Sequence, residues 1–221
     1  MSMTDFDKRV ISGISTFFAV AFIGLCLVFC IMFTYGPDAQ RKVDEELAIK
    51  NNAIEQMTRV KCEIVCAIDN YLLDIAPTNK IDSNILFELC EQYGVDVRFA
   101  LAQGQVESHF ATKGTAKKTN SIFNVGAYDG HSAKRQMRNG FGYADPNDSI
   151  EPYLILITNN YLVDGKTIHD LMLNYVNNLG MRYASDRRYE KMLRNVYNRI
   201  NTSTNLDILI AEYNEYKAII G

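Results

Sequence analysis

Between Arg9 and Asp38 the chain has no charged side chain. The segment Ile11 to Tyr35, ISGISTFFAVAFIGLCLVFCIMFTY, exceeds the roughly 20 apolar residues that a helix needs to cross a bilayer. A cleaved leader has a shorter apolar region and a small-residue exit. Bulky residues also occupy the positions before Cys26 and Cys30 where a lipid-attachment motif needs small ones. Buried core helices rarely run so long uncharged. The pattern predicts an N-terminal tail over 1–10 and a transmembrane helix over 11–35, with the lipid bilayer as a partner. Lys8 and Arg9 before the span balance Arg41 and Lys42 after it, so the positive-inside count does not orient it. The short tail and large remainder predict a single-pass protein with an extracytoplasmic C-terminal domain.

Gly36-Pro37 separates this run from a stretch with helix-favouring residues up to about Ile75. Val43, Leu47, Lys50, Ile54, Met57, Lys61, Ile64, Ile68 and Tyr71 step by alternating fours and threes. That is a heptad seam interrupted twice by lysine, and a homo-oligomer through the 43–71 helix is one expectation. The alternative is an amphipathic helix whose second half packs on a domain. The boundaries expected are a helical stalk over 36–58, a folded domain over 59–200 and a C-terminal amphipathic helix over 201–221.

Within the domain, Asp82 or Ser83 can cap a helix carrying Ile85, Leu86, Leu89 and Cys90, which Gly94 stops. Asp96 can cap the next, with Val97, Ala100, Leu101 and Gly104 at helical spacing. Asp148 or Ser149 can start a third helix, Thr167 a fourth and Asp186 a fifth. From Phe110 to Ser149 glycines, small polar residues and basic residues dominate. Ser121 to Tyr128 and Phe141 to Ala144 predict a small β-hairpin lobe.

Nearly half of the residues are hydrophobic, enough for a core, and the formal charge of −3 gives no footing for nucleic acid. Cys62 and Cys66 lie one helical turn apart, Cys90 stands alone, and neither zinc spacing nor a CxxC pair occurs. His109, His131 and His169 have no ligand spacing. No metal and no cofactor are expected. Tryptophan is absent, so the thirteen tyrosines are the expected aromatic faces of any binding site.

The residue with the clearest chemical promise is Glu107, at the end of the helix begun by Asp96 and flanked by Val106 and Phe110. A carboxyl against apolar neighbours loses hydration, which raises its pKa and suits it to act as a general acid near neutral pH. The bland alternative is a helix-end glutamate in a surface ion pair.

Four segments around it share a resemblance. LAQGQVESHF, Leu101 to Phe110, resembles the LAQAxxESGWG signature of bacterial and phage glucosaminidases, peptidoglycan hydrolases with a lysozyme-like fold. NSIFNVGAYDG, Asn120 to Gly130, resembles their NNLFGIK segment. GYADPNDSIEPYLILI, Gly142 to Ile157, is similar to YxSxxESIxDYxxLL, and RYASDRRYEKML, Arg182 to Leu193, to YATDPxYxxKL. The four stand in family order and cover roughly residues 64 to 200. The resemblance implies a mostly α, lysozyme-like domain with a small β lobe, acting on the peptidoglycan glycan strand after N-acetylglucosamine. It implies Glu107 as the acid, Tyr183 as a cleft tyrosine, and Phe123, Asn124 and Tyr128 as sugar contacts. Replacement of SGW by SHF leans toward a phage source, in which case the protein is virion-associated.

Glycosidic cleavage usually takes two carboxyls. No glutamate lies between Glu107 and Glu151, where family members often carry their second one. Asp129, in AYDG, is the substitute on offer, although Asp-Gly is also an ordinary turn. A 2-acetamido group on the sugar can instead act as internal nucleophile, leaving one protein acid sufficient. Two rivals stand beside this endo-β-N-acetylglucosaminidase. One is a lytic transglycosylase or muramidase on the same fold. The other is a non-catalytic virion or envelope-binding protein.

Overall fold

The computed structural model of the chain describes residues 37–126, 132–140 and 142–221. The expected tail over 1–10, the span over 11–35, and Tyr128 and Asp129 lie outside the described residues. Among those described, no helix is long and apolar enough to cross a membrane. Two units are distinguished: residues up to Gln56 with Ile219–Gly221, and Met57–Ala218.

The helix α1 runs from Pro37 to Ile75. In its first part Val43, Leu47 and Ile54 are exposed, and i,i+4 ion pairs Arg41–Glu45 and Lys50–Glu46 line the surface. Such pairs contribute only tenths of a kcal/mol, about 0.2–0.5 each. Beyond Met57, Val60, Ile64, Ile68, Tyr71 and Leu72 are buried in the core of the second unit. This fits the amphipathic helix whose second half packs on a domain, and it leaves only the first part of the 43–71 seam to an oligomer. Its second half is already covered by the chain's own domain, so those side chains cannot also meet a second copy.

Among its described residues the regular elements of the second unit are helices. Helix α2 (Ser83–Tyr93) starts at Asp82, whose carboxylate accepts from the backbone of Asn84 and Ile85, and ends at Gly94 in the left-handed region, φ 66°. Helix α3 (Val97–Ser108) starts at Asp96, which accepts from Arg98 N. Val97 and Phe99 to Gly104 are all buried, so α3 is wrapped by neighbours and forms the axis of the domain. Two short helices follow, α4 (Ala116–Thr119) and α5 (Ala133–Arg138).

A 3₁₀ turn, Pro146–Ser149, leads into α6 (Ile150–Asn160), and Asp145 with Asp148 forms its capping box. Thr167 and Asp170 form another ahead of α7 (Ile168–Leu173). A single antiparallel bridge joins Val176 and Arg182. Helices α8 (Tyr189–Thr204) and α9 (Leu206–Ile220) complete the chain. Helix α8 lies along α3, α7 against α8, and α6 against α2. The last helix is held to α1 and α2 by Arg59–Glu212 at 2.7 Å, Lys217–Glu91 at 2.8 Å and an edge-on contact of Phe87 with Tyr213.

The expected β-hairpin lobe does not form among the described residues. Turns and the helices α4 and α5 occupy its place. The backbone explains why: Asn120 and Asn124 have φ of 51° and 50°, values that break the regular extended conformation a ladder needs.

Candidate active site

Glu107 is carried on the last turn of α3, which ends in an unusual way. His109, Phe110 and Ala111 all have positive φ, at 53°, 60° and 59°. Left-handed geometry costs L-residues roughly 1–2 kcal/mol each, so the surroundings must hold the turn in place. His109 N donates to Gln105 O at 3.1 Å and Phe110 N to Gly104 O at 3.0 Å. Ala111 N donates to Ser108 Oγ at 2.7 Å, and Ser108 Oγ donates to Ile122 O at 2.5 Å. Phe110 is thereby folded back and buried, with its ring edge-on to Tyr71.

This turn brings Asn124 to the acid. Its amide donates to Glu107 O at 2.8 Å and reaches Oε2 at 3.4 Å. From the other side, the Tyr189 hydroxyl donates to Glu107 Oε1 at 2.5 Å. Tyr189 is the first residue of α8, and Asp186 O accepts from its backbone N. Glu107 itself is half-buried. Burial pushes its carboxyl above the ordinary 4.5, while the hydrogen bonds from Tyr189 and Asn124 oppose that shift. Burial, then the negative charge of Glu107, hold the Tyr189 hydroxyl well above its ordinary value, so it stays protonated and donates.

That arrangement distinguishes the two carboxyl oxygens. Oε1 accepts the tyrosine hydrogen. When Glu107 is neutral its own proton therefore belongs on Oε2, the oxygen with only a long contact. A neutral acid with a free O–H is equipped to protonate a leaving oxygen.

Below Glu107 lies a tyrosine-rich layer. Gln103, one turn earlier on the same face of α3, accepts at Oε1 from both Tyr153 and Tyr175, each at 2.7 Å. Tyr183 stacks on Tyr175 with centroids 4.7 Å apart and lies 5.9 Å from Tyr189. Its hydroxyl donates to Phe123 O at 2.9 Å. Tyr153, Tyr161, Tyr175 and Tyr189 are all buried, so these four are packing and hydrogen-bonding core and offer no open aromatic face.

The sequence-predicted residues thus divide. Glu107 and Asn124 are directly bonded. Tyr183 is adjacent to both Tyr189 and the Phe123 carbonyl. The Phe123 ring is 1% exposed and stacked on Tyr153 at 3.7 Å, so it contributes its backbone to the site and its side chain to the core. Tyr189, Gln103, Tyr153 and Tyr175 were not singled out in sequence for the site. The i,i+4 spacing of Gln103 and Glu107 was the available signal.

Glu190 is near in sequence but occupied: both its oxygens accept from Arg182 Nη2 at 2.8 Å, and Oε1 also accepts from Tyr175 N at 3.2 Å. No second carboxyl among the described residues contributes to the Glu107 shift. None of them form a cluster of metal-ligating side chains. A cavity of about 290 Å³ lies at the opposite end of α3, between Gly94, Val97 and Ile210, and is separate from this site.

The family model described as mannosyl-glycoprotein endo-beta-N-acetylglucosaminidase matches residues 83–202, more than half of the chain. The chain belongs to the glucosaminidase family. It is a glycoside hydrolase, and the matched span begins with α2, includes Glu107, Asn124, Tyr183 and Tyr189, and ends in α8. Helices α1 and α9 lie outside the matched span, although α1 from Val60 onward and α9 through Leu206 and Tyr213 share its core. No curated protein and no solved structure gives a significant match.

Proposed function

We propose that this glucosaminidase is an endo-β-N-acetylglucosaminidase of peptidoglycan, with Glu107 as its general acid. The observation that carries the assignment is the half-buried Glu107 carboxyl, raised in pKa by burial and held at one oxygen by Tyr189. Glu107 delivers the Oε2 proton to the glycosidic oxygen as the C1–O bond breaks. The 2-acetamido carbonyl oxygen of the same sugar bonds to C1 and takes the place of a protein nucleophile. Water then attacks C1, Glu107 accepts its proton, and the acetamido group is released. Asn124, close to Oε2, supports the carboxylate between the two steps, and Tyr183 orients the sugar or the acid through its hydroxyl.

Asp129 is the carboxyl available to a two-carboxyl scheme. Unchanged turnover in Asp129→Asn supports the substrate-assisted route; loss comparable to that of Glu107→Gln refutes it. Because a single acid also serves transglycosylase chemistry, the new chain ends decide between bonds and reactions. A zymogram of the full chain on peptidoglycan, with Glu107→Gln beside it, is the first test. Reducing N-acetylglucosamine ends are expected. Anhydromuramyl ends identify a lytic transglycosylase, reducing muramic acid ends a muramidase, and cleavage by Glu107→Gln removes the acid assignment.

For location, we infer a single-pass protein anchored by Ile11–Tyr35 with the enzyme domain on the wall side. The uncharged run supports this, as does a substrate that lies outside the membrane. Protease protection of the 59–200 region in intact cells, with digestion only after lysis, contradicts it.

A further inference from the structure

The lobe between α3 and α6 is opposite in sign to the chain as a whole. From Ser108 to Ala144 it carries Lys113, Lys117, Lys118, Lys134, Arg135 and Arg138 against a single acidic residue, Asp129, although the net charge of the protein is −3. All six cations are exposed. None of them is ion-paired among the described residues, whereas Arg59, Lys61, Arg98, Arg182, Arg188 and Lys217 each have a carboxylate within 3.1 Å.

Their placement is tied to the acid. Lys113 N donates to Ser108 O at 3.0 Å, immediately after the turn that carries Glu107. The strand of chain beyond α4 returns to the same turn through Ile122 O and Asn124. Helix α4, with Lys117 and Lys118, packs beside α5, with the other three. Tyr143 N donates to Thr119 O at 2.8 Å and closes the lobe.

Two internal roles for the cations can be set aside. They do not tune Glu107, whose shift arises from burial and two hydrogen bonds with no cation among its causes. They do not brace the fold through ion pairs, and like charges on neighbouring helices repel. What is left is a solvated basic surface, open to an anionic partner outside the chain. The start of the lobe and its Ile122–Asn124 segment are both bonded to the turn that follows Glu107, and α5 is joined to that segment through α4 and Thr119, so a polymer bound at Glu107 has the lobe beside it.

We propose that this lobe binds the carboxylates of the peptide stems borne by the glycan strand being cut. The inference rests on peptidoglycan being the substrate. Sugars near Glu107 then supply the bond to be broken, and the stems supply charge contacts beside it. Exposed contacts of this kind are salt-sensitive, because the Debye length is only about 10 Å at 0.1 M salt.

The test is a sedimentation assay on the full chain carrying Glu107→Gln, which leaves the polymer uncut. The probes are intact peptidoglycan, peptidoglycan stripped of its stems by an amidase, and chitin. At low salt, binding to the intact polymer is expected to be about tenfold tighter than to the other two, a difference carried by several weak charge contacts. It should disappear at about 0.5 M salt. It should also disappear in the Lys113→Gln, Lys117→Gln, Lys118→Gln variant and in the α5 variant Lys134→Gln, Arg135→Gln, Arg138→Gln, whichever is shown to fold by its cooperative melt. Equal binding to intact and stem-free polymer overturns the proposal, as does full binding by both folded variants. A preference that survives stem removal but vanishes when phosphodiester polymers are extracted assigns the surface to phosphate instead and overturns it too. Failure of the wild-type chain to cut peptidoglycan sinks the proposed function and is read in a separate assay from this binding difference.

Discussion

The Tyr189 hydroxyl lies 2.5 Å from Glu107 Oε1 across 82 positions of sequence. It joins the end of α3 to the start of α8 and occupies one of the two oxygens of the acid. The other oxygen has only the 3.4 Å contact with the Asn124 amide.

Replacement of Tyr189 by Phe removes a hydrogen bond that opposes the raised pKa of Glu107. The Glu107 pKa should rise further, and the alkaline limb of the kcat/KM profile should move to higher pH. With Oε1 no longer held, kcat should fall about tenfold at the optimum, less than the roughly 10²–10⁴-fold that a positioned acid contributes as a whole. An alkaline limb that stays in place or moves down counts against the hydrogen bond.

Glu107 should weaken the fold at neutral and alkaline pH. A carboxyl with a raised folded pKa binds its proton more tightly in the folded than in the unfolded chain. Its favourable contribution is complete below the unfolded value near 4.5 and is lost as pH rises through the folded value. Glu107→Gln, which stays neutral, should therefore melt above the wild type at pH 8 and beside it at pH 4. Thermal unfolding at the two pH values checks this; a lower melting point at pH 8 refutes it.

Gly104→Ala tests the turn behind the acid. A methyl group there would lie 2.9 Å from Ile122 Cγ2 and 3.2 Å from Phe110 Cδ1. Alanine gains about 1 kcal/mol in helix propensity over glycine, while forcing an overpacked core costs about 1–3 kcal/mol. A net destabilisation of about 1 kcal/mol is expected from denaturant midpoints. The family signature has alanine at this place; here the folded-back Phe110 and Ile122 fill the space.

Arg182→Ala should leave the buried Glu190 carboxylate without its main partner. Glu190 is 7% exposed and also receives Tyr175 N. A loss of about 1–3 kcal/mol is expected for an unsatisfied buried group. Arg182, with Glu190, braces the segment that carries Tyr175 and Tyr183, so kcat should fall with stability. Urea unfolding and kcat measured on the same sample check both; unchanged stability sinks this role for the pair.

Helix starts were legible where one side chain caps its own neighbours. Asp82, Asp96 and Thr167 all accept from backbone amides two or three positions ahead, and Gly94 ends α2. The lobe was misread because Ser121 to Tyr128 has strand-like composition, while the left-handed Asn120 and Asn124 bend its backbone into turns. In sequence Tyr189 stands at helical spacing with Leu193, Val196 and Ile200, as any residue of an apolar helix face does. Nothing local distinguishes a tyrosine that packs from one whose hydroxyl meets an acid.

The chain's own pattern determined its helical periodicity, its caps and the segment holding Glu107, because each depends on residues within a turn or two of one another. The tertiary structure alone decided which side of a helix is covered. Ile64 and Val43 share one seam, yet only Ile64 is buried. It also decided which groups reach the acid. Those contacts join residues far apart in sequence, and they form only when the whole core packs at once, leaving no periodic trace in the chain.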